Sequence, residues 1–107
     1  MVNHLGPFQD IWEAWNAAGE EMQEKGVDHF ETAVTVQFLE LKQHLVNDKR
    51  EKAAMEAIDV ISIALNLLRK LDYEPEEIAS LAKVRARDRM AGQTREILQK
   101  YSTLYGI

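Results

Sequence analysis

The sequence predicts an all-α protein, and three observations carry that prediction. Apolar residues recur at helical spacing through most of the chain, and no strand-like alternation is sustained anywhere. The two prolines and five glycines fall where helices would begin or end. The 107 residues, 46% of them apolar, suffice for one domain with a core. So small a monomer buries only a modest share of its surface, so four main helices completed by a homodimer or tetramer are expected. Residues 1–107 read as one domain, with 1–6 and 102–107 loosely held.

The first predicted helix runs from Pro7 to Lys25. Proline suits the first helical position and Gly26 suits the stop. Phe8, Ile11, Trp12, Trp15, Ala18 and Met22 form its apolar stripe. The second runs from Asp28, a suitable N-cap, to Val46, and Asn47 and Asp48 break the chain after it. The third runs from Lys49 to Leu71 and is apolar around most of its circumference, which marks a central helix packed by several neighbours. Its polar residues keep to one line: Lys49, Lys52, Glu56, Asp59, Ser62, Asn66 and Lys70. The fourth opens at Pro75 with Glu76 and Glu77 in its first turn, where the helix dipole favours acids, and continues to Met90. Gly92 interrupts, and a last segment reaches Tyr101.

Charge and composition exclude several functions. A net charge of −5 argues against binding a nucleic-acid polymer through a global field. The absence of cysteine removes disulfides, thiolate metal sites and cysteine nucleophiles, and suits a reducing cytoplasm. No charged-then-apolar leader opens the chain, and the stretch Ala53–Leu68, which contains Glu56, Asp59 and Asn66, is too polar to cross a membrane. A cytoplasmic protein is therefore expected.

The chemistry lies on the second and third helices. Glu56 and Asp59 are three residues apart, so their side chains project from one face. Gln37, Glu40 and His44 form a matching line on the second helix, between apolar strips. The short break at Asn47 and Asp48 folds the two helices back antiparallel, which brings Glu40 to face Glu56 and Asp59. Three crowded carboxylates repel unless a cation neutralises them. Mg²⁺ suits that role, with Mn²⁺ as a substitute. It prefers carboxylate oxygen and bridges to phosphate, and it polarises a phosphoryl group while activating water for attack. The same spacing also describes a solvated face laced with i,i+3 and i,i+4 charge pairs, and spacing alone favours that plainer reading.

A resemblance changes the balance. VQFLELKQHL, with MEAIDV beginning fifteen residues after Glu40, resembles the MazG-type all-α nucleoside triphosphate pyrophosphohydrolases. That family carries Glu-x-x-Glu on one helix and Glu-x-x-Asp on the next. DYEPEEIASLAKVRARDR is similar to the family segment that ends in a phosphate-facing lysine and basic residues. The likeness spans roughly residues 30 to 90, within the boundary error of such readings. It implies a MazG-like bundle in which Glu40, Glu56 and Asp59 hold the metal and one carboxylate acts as base. It further implies that Lys83 and Arg87 bind phosphate. The pattern fails at position 37, where Gln stands for the expected Glu. Gln37 brings a neutral carbonyl ligand in place of a charged one.

Other residues read two ways. Trp12 and Trp15 could stack on a base, but an amphipathic stripe more often buries them. His44 could touch a base or orient a ligand, or it could cap the helix. Asn66 could meet a sugar or phosphate, or be a satisfied interface residue. Arg85 and Arg89 point away from Lys83 and Arg87, toward surface or interface roles.

Three functions follow. The leading one is an Mg²⁺-dependent hydrolase, splitting a nucleoside triphosphate into monophosphate and pyrophosphate as house-cleaning of surplus or aberrant nucleotides. The second is a MazG-like domain that binds nucleotide without cleaving it, as Gln37 would favour. The third is a structural helical oligomer.

Overall fold

The computed structural model describes residues 2–107, and every element among them is helical. The helices are α1 (Gln9–Ala14), α2 (Gly19–Glu24), α3 (Val27–Val46), α4 (Arg50–Lys70), α5 (Pro75–Arg85) and α6 (Thr94–Tyr105). Short 3₁₀ turns occupy Gly6–Phe8 and Asn16–Ala18, and a π-helical turn spans Ala86–Met90. None of the helices is long and apolar enough to cross a membrane.

The frame is the α3–α4 hairpin. Its corner is closed by Asp48 in the left-handed region, φ 57°, with Lys49 N–H donating to His44 O at 2.8 Å. A second left-handed aspartate, Asp72 at φ 68°, turns the chain from α4 into α5. There Pro75 opens the helix. Glu74 and Glu77 form a reciprocal capping box, the Glu74 N–H donating to Glu77 Oε1 at 3.0 Å. The core is compact: Trp12 from α1, Leu65 from α4 and Ile78 from α5 pack together, with Leu5, Phe8, Ile11, Leu68 and Tyr73 around them.

Three expectations are corrected. The first predicted helix is two helices, α1 and α2, joined by the 3₁₀ turn at Asn16–Ala18. The cause is tertiary. The Arg69 guanidinium donates to the Trp12 carbonyl and, at 2.9 Å, to Asn16 Oδ1, and it stacks 3.8 Å from the centroid of the Trp12 ring. A side-chain donor on the Trp12 carbonyl competes with the helical ladder, and the chain bends there. Second, the fourth predicted helix leaves α geometry after Arg85, with Ala91 N–H donating to Ala86 O at 2.8 Å across the π-turn. Third, the last helical segment runs past Tyr101. Leu5 packs on the core and donates its N–H to Gln9 Oε1, and α6 runs on through Tyr105 to a left-handed Gly106, φ 68°. Met1 lies outside the described residues.

Gln23 at the end of α2 ties the α1–α2 cover to the far end of α4. Its side-chain amide donates to Arg69 O at 2.9 Å and to Asp72 Oδ1 at 3.2 Å, and its own carbonyl accepts from Lys70 Nζ at 2.9 Å. At the other end of the cover, Trp15 Nε1–H donates to Ser62 Oγ at 2.9 Å. The cover is thus fastened to the middle and to the C-terminal end of α4.

Candidate functional site

Between that cover and the hairpin lies a cavity of about 370 Å³. Trp15 and Met22 line it from the cover, His29, Phe30, Ala33 and Gln37 from α3, and Asp59, Ser62, Ile63 and Asn66 from α4. The volume is within the range of small-molecule pockets, and the lining has the usual composition: apolar and aromatic walls with a few convergent polar groups.

Of the acids, Asp59 lines this cavity, and its charge acts on Glu56. Glu40 on α3 stands within hydrogen-bonding reach of Glu56 on α4, and the charges of Glu40 and Asp59 both act on Glu56. His44, one turn beyond Glu40, places Nε2 3.4 Å from Glu56 Oε1. Glu56 is the most enclosed of the group, its side chain 15% exposed, while Glu40 and Asp59 stand exposed beside it. Its carboxyl is held above the ordinary range. Partial burial is the largest cause, followed by the hydrogen bond with Glu40 and the negative charges of Glu40 and Asp59, with the His44 contact pulling the other way.

Two oxygens here are buried without a hydrogen-bond partner: Gln37 Oε1 and Glu56 Oε2. Buried acceptors are normally paired, so this orphaned pair is an exception that calls for a donor or a cation. All the donors are hard oxygens, the set a divalent ion of the Mg²⁺ type prefers. As placed, no three His, Asp or Glu side chains among the described residues surround one point closely enough to form a ready-made cation site. The acids are gathered, not closed; a cation would draw Glu40 and Asp59 inward.

The remaining sequence candidates divide. Trp15 and Asn66 are at the cavity, Asn66 almost wholly buried in its wall. Trp12 is not. It is core, 5% exposed, and its ring is taken by Arg69, so a base-stacking role is withdrawn for it. Lys83 stands exposed on α5 and does not line the cavity. Arg87 falls in the π-turn, which breaks the helical phase it was expected to share with Lys83, and its guanidinium is engaged by Asp88 at 2.6 and 3.0 Å. Neither expected phosphate ligand lines the cavity. The sequence reading missed His29, Phe30 and Met22 as walls and Ser62 as the anchor of Trp15. Ser62 had a signal, since it stands on the polar line of an otherwise apolar helix.

No protein-family model, characterised protein or solved structure matches the chain.

Proposed function

We propose that the chain is a divalent-metal-dependent nucleoside triphosphate pyrophosphohydrolase of the MazG type. The observation that carries the reading is the convergence of Glu40 and Glu56 with Asp59, which with the orphaned Gln37 oxygen belongs to an aromatic-walled cavity. Gln37, Glu40, Glu56 and Asp59 would hold Mg²⁺ or Mn²⁺, which supplies charge neutralisation and polarisation of a bound phosphate. Glu56 is the proton acceptor. Its side chain is the most enclosed of the three acids. Trp15 offers a flat apolar surface and Asn66 a hydrogen-bonding amide to a nucleoside. The deciding experiment is pyrophosphate release from a panel of canonical and modified NTPs and dNTPs with Mg²⁺ or Mn²⁺. Release above background supports the reading, and its absence across the panel sinks it.

Trp15→Ala should weaken nucleotide binding roughly 5- to 150-fold, the equivalent of about 1–3 kcal/mol for one lost base–aromatic stack. Trp15→Phe should recover most of it. Titration calorimetry checks both, and equal affinities for wild type and Trp15→Ala would remove the base from this cavity.

One observation favours a second reading, nucleotide binding without cleavage. Gln37 contributes no charge where an acid would bind a cation more strongly. Gln37→Glu should therefore raise Mn²⁺ affinity by at least about tenfold, because an added carboxylate about 4 Å from a cation contributes more than 1.4 kcal/mol at an effective dielectric near 20. If the wild type binds nucleotide without turnover and Gln37→Glu gains turnover, this second reading replaces the first. A flat Mn²⁺ affinity would mean that position 37 does not face the ion.

A further inference from the structure

Lys83 and Arg87 do not line the cavity, and among the described residues no other Lys or Arg does. The outer phosphates of a bound nucleotide are thus left without a cation, and the α3–α4 hairpin supplies one elsewhere. Along α4 the cavity is lined by Asn66, Ile63, Ser62 and Asp59, in order toward the corner at Asp48. Glu56 comes next and Lys52 after it, each about one turn on. Spacings of three and four keep Asp59, Glu56 and Lys52 on one face. Glu51 lies about 100° round the helix and leaves that face to Lys52. On α3, Gln37, Glu40 and His44 take the same steps, and His44 O accepts from Lys49 N–H at the corner. Along the hairpin the chemistry therefore changes in a fixed order: apolar and aromatic walls, then carboxylates, then a cation. A nucleoside triphosphate with its metal has the complementary order of flat base, metal-held phosphate and two further anionic phosphates.

Two observations separate Lys52 from an ordinary surface lysine. A lysine and a glutamate four apart on a helix commonly pair. Lys52 is exposed and makes no ion pair among the described residues. Glu56 is turned to Glu40 and His44 instead, and the charges acting on its carboxyl are those of Glu40 and Asp59. The ammonium is left uncommitted one turn from the acids. The second observation lies at the other end of the same line. Asn66, only 4% exposed, sits in the cavity wall with no side-chain hydrogen bond among the described residues. Between the two ends, Gln37 Oε1 and Glu56 Oε2 are buried without a partner. Buried polar groups are normally paired, so the line from Asn66 to Glu56 is short of a ligand, and Lys52 stands at its open end.

We propose that Lys52 binds the terminal phosphates of a nucleoside triphosphate whose nucleoside lies in the cavity. This role rests on the hydrolase reading above and supplies the cation that reading lacks. Lys52 stands about 6 Å of helix rise beyond Glu56, so its ammonium meets phosphates past the one held at the acids. A triphosphate engages it and a monophosphate does not. In the reaction, the water oxygen bonds to the α-phosphorus and the bond from that phosphorus to the bridging oxygen breaks. The electron pair leaves on the pyrophosphate, whose charge the ammonium offsets, and the water proton passes to Glu56. A lysine suits this task, as a point charge that follows a flexible anion without demanding one geometry.

The test uses the full chain saturated with Mn²⁺, and inorganic pyrophosphate as the probe, which carries the phosphate chemistry without a base. Calorimetry should show pyrophosphate binding to wild type. Lys52→Ala should weaken that binding roughly tenfold or more, as loss of one charge-assisted hydrogen bond does. Lys52→Arg should keep most of the affinity. Arg50→Ala removes an equal charge about 200° round the helix and should stay near wild type. Mn²⁺ itself should bind Lys52→Ala no more weakly than wild type, because the change takes a cation away from the ion. A lysine that merely held the corner together would weaken both ligands. With Mn²⁺ binding intact, no pyrophosphate binding to wild type, or equal affinity in wild type and Lys52→Ala, overturns the role of Lys52 and leaves the hydrolase reading standing. An equal loss in Arg50→Ala, or a parallel loss of Mn²⁺ in Lys52→Ala, overturns it as well. A wild type that binds no Mn²⁺ overturns the hydrolase reading and the role of Lys52 together.

Discussion

Glu56→Gln should abolish pyrophosphate release and at the same time raise the melting temperature. The two effects share one cause. Glu56 is half-enclosed against Glu40 with Asp59 nearby, and its carboxyl is raised by that burial and by their charges. A carboxyl with a higher pKa in the fold than in the unfolded chain supports folding while protonated. That support is complete below the unfolded value and is lost as pH rises through the folded value. At neutral pH the ionised group opposes the fold, and a neutral amide of the same shape removes the opposition. The gain should be present at pH 7–8 in EDTA and fade in mild acid, where wild-type Glu56 carries its own proton. Mn²⁺ should raise the melting temperature of wild type and do little for Glu56→Gln. Release should fall by on the order of 10²- to 10⁴-fold, the usual contribution of a positioned proton acceptor. Calorimetry and a pyrophosphate assay on the same samples check both halves. A variant that keeps its activity, or that melts lower than wild type at neutral pH, would show that Glu56 is an ordinary structural acid.

Leu65→Ala is expected to be strongly destabilising. The central cluster joins three buried residues, Trp12, Leu65 and Ile78, drawn from three different helices. Leu65 is the central-helix member and is 8% exposed. Its removal leaves a cavity that the tryptophan cannot fill, because Arg69 fixes that ring from the other side. Truncations of this kind cost about 2–5 kcal/mol, and a domain of this size has only about 5–15 kcal/mol in total. The melting temperature should fall by roughly 10 °C or more. Leu39→Ala, at an exposed position, should stay within about 0.5 kcal/mol. Urea denaturation followed by circular dichroism separates the two. Similar midpoints for both variants would show that Leu65 is not at the centre of the core.

Much of this was legible in the residues. Helical spacing found α3 and α4 nearly to the residue, because Gly26, Asn47 and Asp48 mark their ends and the hairpin between them is short. The meeting of Glu40 with Glu56 followed from two polar lines on helices that must lie antiparallel. The position of His44 was written in the same line. What stayed hidden depends on distant partners. Nothing near Trp12 and Trp15 says that one is core and the other cavity; the choice is made by Arg69 and Ser62, more than forty residues away. The break between α1 and α2 has the same origin. The loss of phase at Arg87 depends on a π-turn with no local breaker inside it. The full length of α6 did have a marker, Gly106, whose left-handed conformation is a common helix stop.

The two aspartate corners of the long hairpin and its continuation are under the same backbone stress, but they answer it differently. Glycine would sit more easily in either left-handed position. At residue 72 the carboxylate is also the far anchor of Gln23, so a glycine there would ease the turn while loosening the roof over the cavity. Asp48 stands exposed at its corner with no such duty among the described contacts. Asp48→Gly should therefore come out neutral or slightly stabilising in a thermal melt, and Asp72→Gly should not. The chain has spent one of its two awkward corners on holding its own ceiling in place.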